Sequence, residues 1–137
     1  MALECTLMVE TGRPIAFTCA DGTGIPKGSI LEISDPMTVT ITNGDDDKII
    51  GIAAGEKIAD DGNTTIQVHV EGIFRGFAGA AGVTVGRAII TDSATGAANE
   101  LVIADANSEG IVGTALETAT DEQSFLFKLN PINPVLA

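Results

Sequence analysis

The sequence predicts an all-β fold, a compact barrel or sandwich of short strands with at most one or two short helical turns. Three observations predict it. Short apolar runs rich in β-branched residues recur along the 137-residue chain, and its 16 glycines and 5 prolines are spread between them rather than bunched, which suits many turns and few helices. The apolar share of 45% includes only five Phe and no Tyr or Trp, so the core must rest on Ile, Val, Leu and Ala, and stiff β-branched side chains pack well on a pleated surface. The chain also repeats itself. Gly24-Ile25-Pro26-Lys27-Gly28 matches Gly82-Val83-Thr84-Val85-Gly86 at an offset of 58, Ile49–Ala53 matches Ile111–Ala115 at 62, and Thr65–Val70 matches Ser124–Leu129 at 59. Three matches in one order at nearly one spacing predict a duplicated β unit closing one core.

Taken in order, residues Glu4–Glu10 read as a first extended segment, and Thr11-Gly12-Arg13-Pro14 as a turn before a strand at Ile15–Cys19. Asp21-Gly22-Thr23-Gly24 is a loop, because Asp-Gly and Gly tolerate positive φ. Strands follow at Ser29–Ser34 and Met37–Thr42, the latter with Val39 and Ile41 on one face. Beyond the polar tip Asn43–Asp47, Ile49–Ala54 is apolar throughout, as a strand buried on both faces would be, and Gly55–Asp61 reads as a helical turn. Thr64–Glu71 alternates most clearly, with Ile66, Val68 and Val70 inward and Gln67, His69 and Glu71 outward.

Gly72–Gly86 is small in composition and separates the repeats. The second unit then offers strands at Arg87–Thr91, Glu100–Ala104, Ile111–Leu116 and Ser124–Leu129, with loops at Asp92–Ala98 and Asp105–Gly110. The expected organisation is a single β domain over 1–137. It divides into an N-terminal arm or first strand (1–10), a first β unit (15–72), a Gly-rich linker (73–85), a second β unit (86–129) and an extended tail (130–137). The tail's two prolines remove backbone donors.

With 7 basic and 19 acidic residues the net charge is −12, which repels phosphate backbones and argues against a nucleic-acid partner. It suits a protein soluble at high copy number, or one in a salty milieu where screening weakens self-repulsion. No stretch approaches the roughly 18 apolar residues of a membrane span, and the N-terminus lacks the basic and apolar runs of a signal peptide. Cys5 and Cys19 are too few for a disulfide scaffold and are expected as reduced, mostly buried thiols, although pairing of the first two strands would bring them near one another.

The chemical motifs fail one by one. His69 is the only histidine, lies mid-strand as a solvated residue, and has no Gly-x-Ser-x-Gly nucleophile to serve. Gly22–Ser29 resembles a phosphate loop, but Lys27 precedes the last glycine and Pro26 removes an N–H that a phosphate would need. Asp45-Asp46-Asp47 and Asp60-Asp61 lack the ligand spacing of a calcium loop, and Cys5, Cys19 and His69 show no clustered metal-ligand spacing. No catalytic residue, cofactor or metal site is expected, and the chain is not read as an enzyme.

Four segments carry a family resemblance: Val70-Glu71-Gly72-Ile73-Phe74, the Gly82–Ala88 turn and strand, Ile111-Val112-Gly113-Thr114-Ala115-Leu116-Glu117, and the alternating final strand. Through them the chain resembles, from roughly Ile15 to Leu129, the capsid decoration (head-stabilising) proteins of tailed viruses. The resemblance implies a virion structural protein that is made in the host cytoplasm and sits on the outer surface of the capsid. It implies binding to the major capsid protein lattice, commonly as a homotrimer, without nucleic-acid or membrane partners.

The two ends look suited to partner contact. Ala2, Leu3, Glu4, Thr6, Leu7 and Met8 could add as a strand to a neighbour's exposed edge, and Pro131, Ile132, Pro134, Val135 and Leu136 form an apolar, extended tail; the alternative is that both ends pack on their own barrel. A second functional reading is a ligand- or glycan-binding β module on a virion or cell surface. Sugars commonly stack on Trp or Tyr, which this chain lacks, leaving Phe74 and Phe77 as the candidate platforms.

Overall fold

A computed structural model describes residues 4–42, 48–91, 100–104 and 110–132. The described chain is all β. Its strands are β1 (Thr6–Val9), β2 (Ile15–Thr18), β3 (Ile30–Asp35), β4 (Thr38–Ile41), β5 (Ile49–Ala53), β6 (Thr65–His69), β7 (Gly72–Ala78), β8 (Ala88–Thr91), β9 (Glu100–Ile103), β10 (Ile111–Ala115) and β11 (Ser124–Ile132). Strands β2-β4-β3-β5-β6 close into a first barrel. Strands β7-β11-β10-β8-β9 form a second, which the β7–β9 pairing closes, and β1 is added to β7.

The two barrels repeat each other bond by bond. In each, one parallel pairing joins the first strand to the third, Thr18 to Thr38 and Phe77 to Glu100. Ile25 pairs with Lys57 through two backbone hydrogen bonds, and Val83 pairs with Ala119 in the same way. Asp60 and Glu122, 62 residues apart, both adopt positive φ. A Cβ on Gly51 would lie 2.1 Å from the His69 carbonyl oxygen, and one on Gly113 would lie 1.9 Å from that of Lys128, so the same backbone crossing excludes a side chain twice. Closure removes the sheet edges that short strands would otherwise expose.

Side-chain alternation sorts the core. Leu31, Val39, Ala53, Ile66 and Val68 fill the first barrel with Phe17, Cys19 and Ile25. Ile30, Ile49 and Ile52 point out of it and join Ile89, Leu101, Ala115, Phe125 and Phe127 in a larger cluster belonging mainly to the second barrel. The first barrel's outer face is thus the second barrel's packing partner. At about 25 cal/mol per Å² of apolar surface, burial of this kind is the main driving force holding the barrels together.

Three expectations need correction. The linker expected over 73–85 contains β7 in its first part, a strand hydrogen-bonded along Gly72–Phe77 to β11. Gly72, Phe74, Gly76 and Ala78 alternate inward along it, and a Cβ on Gly76 would come 2.9 Å from the Phe127 ring. Small residues here make room for a bulky neighbour rather than a flexible hinge. Gly55–Asp61 holds no helical turn, since Lys57 pairs across to Ile25. His69 is buried rather than solvated: it does point out of the first barrel, but the second barrel covers it, with Phe74 edge-on at 5.5 Å. The loops expected at 43–47, 92–98 and most of 105–110 lie outside the described residues.

Candidate contact surface

The N-terminal arm is placed by two sets of backbone contacts. β1 runs antiparallel to β7, with Thr6 opposite Arg75, Leu7 opposite Phe74 and Val9 opposite Ile73. Just before it, the Cys5 N–H donates to the Gly28 carbonyl at 2.8 Å. Gly28 has φ +91, and a Cβ there would lie 2.3 Å from the Cys5 carbonyl oxygen, so the first barrel accepts the arm only because that position is glycine. Leu7 packs against the larger core, while Thr6, Met8 and Val9 remain exposed. β1 pairs in its own chain, and its other side ends the sheet.

Arm and barrels enclose a cleft of about 420 Å³ lined by Glu4, Cys5, Thr6, Leu7, Lys27, Gly28, Ala53, Ala54, His69 and Phe74. The His69 Nδ1 is buried in it and makes no hydrogen bond among the described residues. Burial pushes its pKa below the usual histidine value, opposed by Glu10 and reinforced by Lys27. Burial, aided by Glu4, pushes the Cys5 thiol up to about 12, so it stays protonated and unreactive. Cys19 is also free and buried, but it lies in the other core. β1 and β2 do not pair, so the two thiols are not brought together by adjacent strands.

Elsewhere on the first barrel, Lys57 is buried. Its Nζ donates to Asp21 Oδ1 at 2.9 Å, Asp61 Oδ1 at 2.6 Å, the Asp21 carbonyl at 3.0 Å and the Ile58 carbonyl at 2.5 Å. Desolvation pushes the ammonium's pKa down, yet the hydrogen bonds to Asp61 and Asp21 overcome it and leave it raised. Asp61 is held below the usual carboxylate range by Lys57 and the Asn63 N–H. With every Lys57 proton satisfied, the cluster is a lock on two loops and presents no free donor for a ligand. No group of three His, Cys, Asp or Glu able to hold a metal ion occurs among the described residues.

Of the candidate contact residues, the structure brings Glu4, Thr6, Leu7 and Met8 together in the arm. Pro131 and Ile132 lie at the end of β11, where Ile132 is opposite Ile111. Ala2, Leu3, Pro134, Val135 and Leu136 lie outside the described residues. Phe74 is buried in the core, so it offers no ring face to a sugar. Sequence reasoning missed a second apolar surface, Val85 and Leu116, 56% and 41% exposed on adjacent loops beside Gly86. The repeat itself was the signal for it, because these positions duplicate Lys27 and Ala54 in the cleft wall.

Two duplicated closed barrels with an added N-terminal strand define a twin-barrel, all-β class of protein. The chain belongs to the phage cement protein family, whose model matches residues 9–129. Among solved structures it is similar to the head fiber gp8.5 N base in bacteriophage phi29, with a TM-score of 0.57 at 14% identity over 90% of this chain and 99% of that one. No curated protein matches it. The structural likeness extends to the whole duplicated fold, because it spans both barrels.

Proposed function

We propose that this chain is a virion structural protein that binds the outer surface of the major capsid protein lattice and stabilises the head, as a homotrimer. The observation that carries the reading is family membership over both barrels, residues 9–129. The similar phi29 structure is named as part of a head fiber, which fits a site on the outside of a head. A chain of net charge −12 is suited to the outside of a DNA-filled shell, where it avoids the phosphates within. Neither nucleic acid nor membrane is assigned as a partner, and the chain is read as non-enzymatic.

Such a protein would work by cross-linking. Each copy buries surface against the lattice, and capsid expansion or subunit loss then has to break those contacts too. Standard interfaces bury about 1,200–2,000 Å² in total, and this chain exposes 6917 Å², enough for one lattice face and two copy–copy faces. The test is co-sedimentation of purified protein with capsids of its virus. The expected result is saturable binding that raises the temperature at which the capsids release DNA. Absence of binding at saturating protein would refute the proposal.

A further inference from the structure

The two barrels treat the same surface differently. In the first, Lys27, Gly28, Ala53, Ala54 and His69 form a wall on which the extended residues Glu4–Thr6 lie. The duplicated positions are Val85, Gly86, Ala115, Leu116 and Lys128, and the backbone is the same there: Gly86 donates to the Ala115 carbonyl as Gly28 does to that of Ala53, and both glycines have positive φ. Yet a Cβ on Gly86 would meet no atom within 4 Å among the described residues, whereas at Gly28 the Cys5 backbone fills that space. The surface is also more apolar than its twin, with Val85 in place of Lys27 and Leu116 in place of Ala54, and both are exposed.

We infer that the Val85–Gly86–Leu116 surface is a second docking site for an extended segment, and that its occupant is the tail, residues 133–137, of a neighbouring copy. The tail's sequence, Asn-Pro-Val-Leu-Ala, carries no charged side chain, which matters between copies that each carry −12. The last described strand leads away from its own chain's surface. β11 runs away from Leu116 and ends at Ile132, opposite the start of β10, while Leu116 follows the end of β10. Tail onto loop surface is a heterologous contact, the kind that closes a three-fold ring. The inference therefore rests on the homotrimer proposed above and names its copy–copy contact.

Two variants separate the halves of this contact: Val85→Glu with Leu116→Glu, and truncation after Ile132. Both change exposed or terminal positions, and the melting temperature of each checks that the barrels are intact. Light scattering is expected to give a trimer for the wild type and a monomer for each variant. An equimolar mixture of the two variants should recover a dimer, because the truncated chain keeps the surface and the loop variant keeps the tail. A truncated chain of wild-type mass, a mixture that stays monomeric, or a wild type that is monomeric at all concentrations would overturn the inference. Loss of capsid binding by the loop variant with none by the truncation would also overturn it, by giving the surface to the capsid protein. Co-sedimentation keeps the two proposals apart, since wild-type binding to capsids stands or falls independently of these masses.

Discussion

The first barrel is pinned at two places within its own chain, and the second is not. In the first, Lys57 ties Asp21 to Asp61; its twin in the second barrel is Ala119, half of a bridge with nothing to lock. Three residues that the second barrel lacks make the difference. Asp60 and Glu122 correspond at an offset of 62, but Thr64 and Gln123, which accept equivalent hydrogen bonds from Cys19 and Ala78, correspond at 59, so Asp61-Gly62-Asn63 is extra. Around Gly28 the arm closes the wall, and its copy at Gly86 has no such cover among the described residues. The second barrel compensates inside, where Phe125 and Phe127 replace Ile66 and Val68. Duplication followed by unequal finishing thus yields one barrel held by polar locks and one held by aromatic packing, with a free surface on the latter.

The largest effect should come from that aromatic packing. Phe125→Ala is expected to cost about 3–5 kcal/mol in urea unfolding, and its twin Ile66→Ala nearer the lower end of about 2–5 kcal/mol. Equal losses would mean the barrels share one core without a bias. The twin glycines come next. Gly86→Ala should cost about 1–2 kcal/mol, the strain of a left-handed residue in open space. Gly28→Ala should cost more and also speed hydrogen exchange at the Cys5 amide, because it pushes the arm away.

Lys57→Met should lower the melting temperature less than either core change, with a defined pH dependence. Lys57 titrates above its usual 10.5 when folded, so its contribution is complete below 10.5 and is lost as pH rises through the folded value. Asp61 titrates below its usual 3.8, so its contribution is present above 3.8 and is lost as pH falls through the folded value. The gap between wild type and variant should therefore be widest near neutrality and close at both extremes; a gap independent of pH would remove the ion cluster from the account. His69 should give the smallest effect. Its folded pKa lies below 6.5, so the unfolded chain takes up a proton first and stability declines as pH falls from 6.5 toward the folded value. His69→Gln should flatten that slope.

Much of this was legible in the sequence, because the repeat sits in backbone-critical residues. The matched segments Ile49–Ala53 and Ile111–Ala115 coincide with β5 and β10 to the residue, and each contains the one glycine that the strand crossing demands. β7 was not legible, since three of the four inward positions of Gly72–Ala78 are Gly or Ala and read as a linker until the Phe127 ring is placed against Gly76. His69 misled for a related reason: strand alternation assigns a face, and only tertiary packing decides whether that face meets water. The arm was expected to add to a neighbour's edge, whereas β1 pairs with its own β7, the strand that composition had hidden.

The same surface is closed within the chain at Gly28 and, in the proposed trimer, by a neighbour at Gly86. Amide hydrogen exchange of the wild-type trimer beside the chain truncated after Ile132 tests it. The trimer is predicted to be more protected at residues 84–87 and 116–118 than the truncated monomer, with residues 27–29 equal in both. New protection at 27–29 with none at 84–87 would contradict the account.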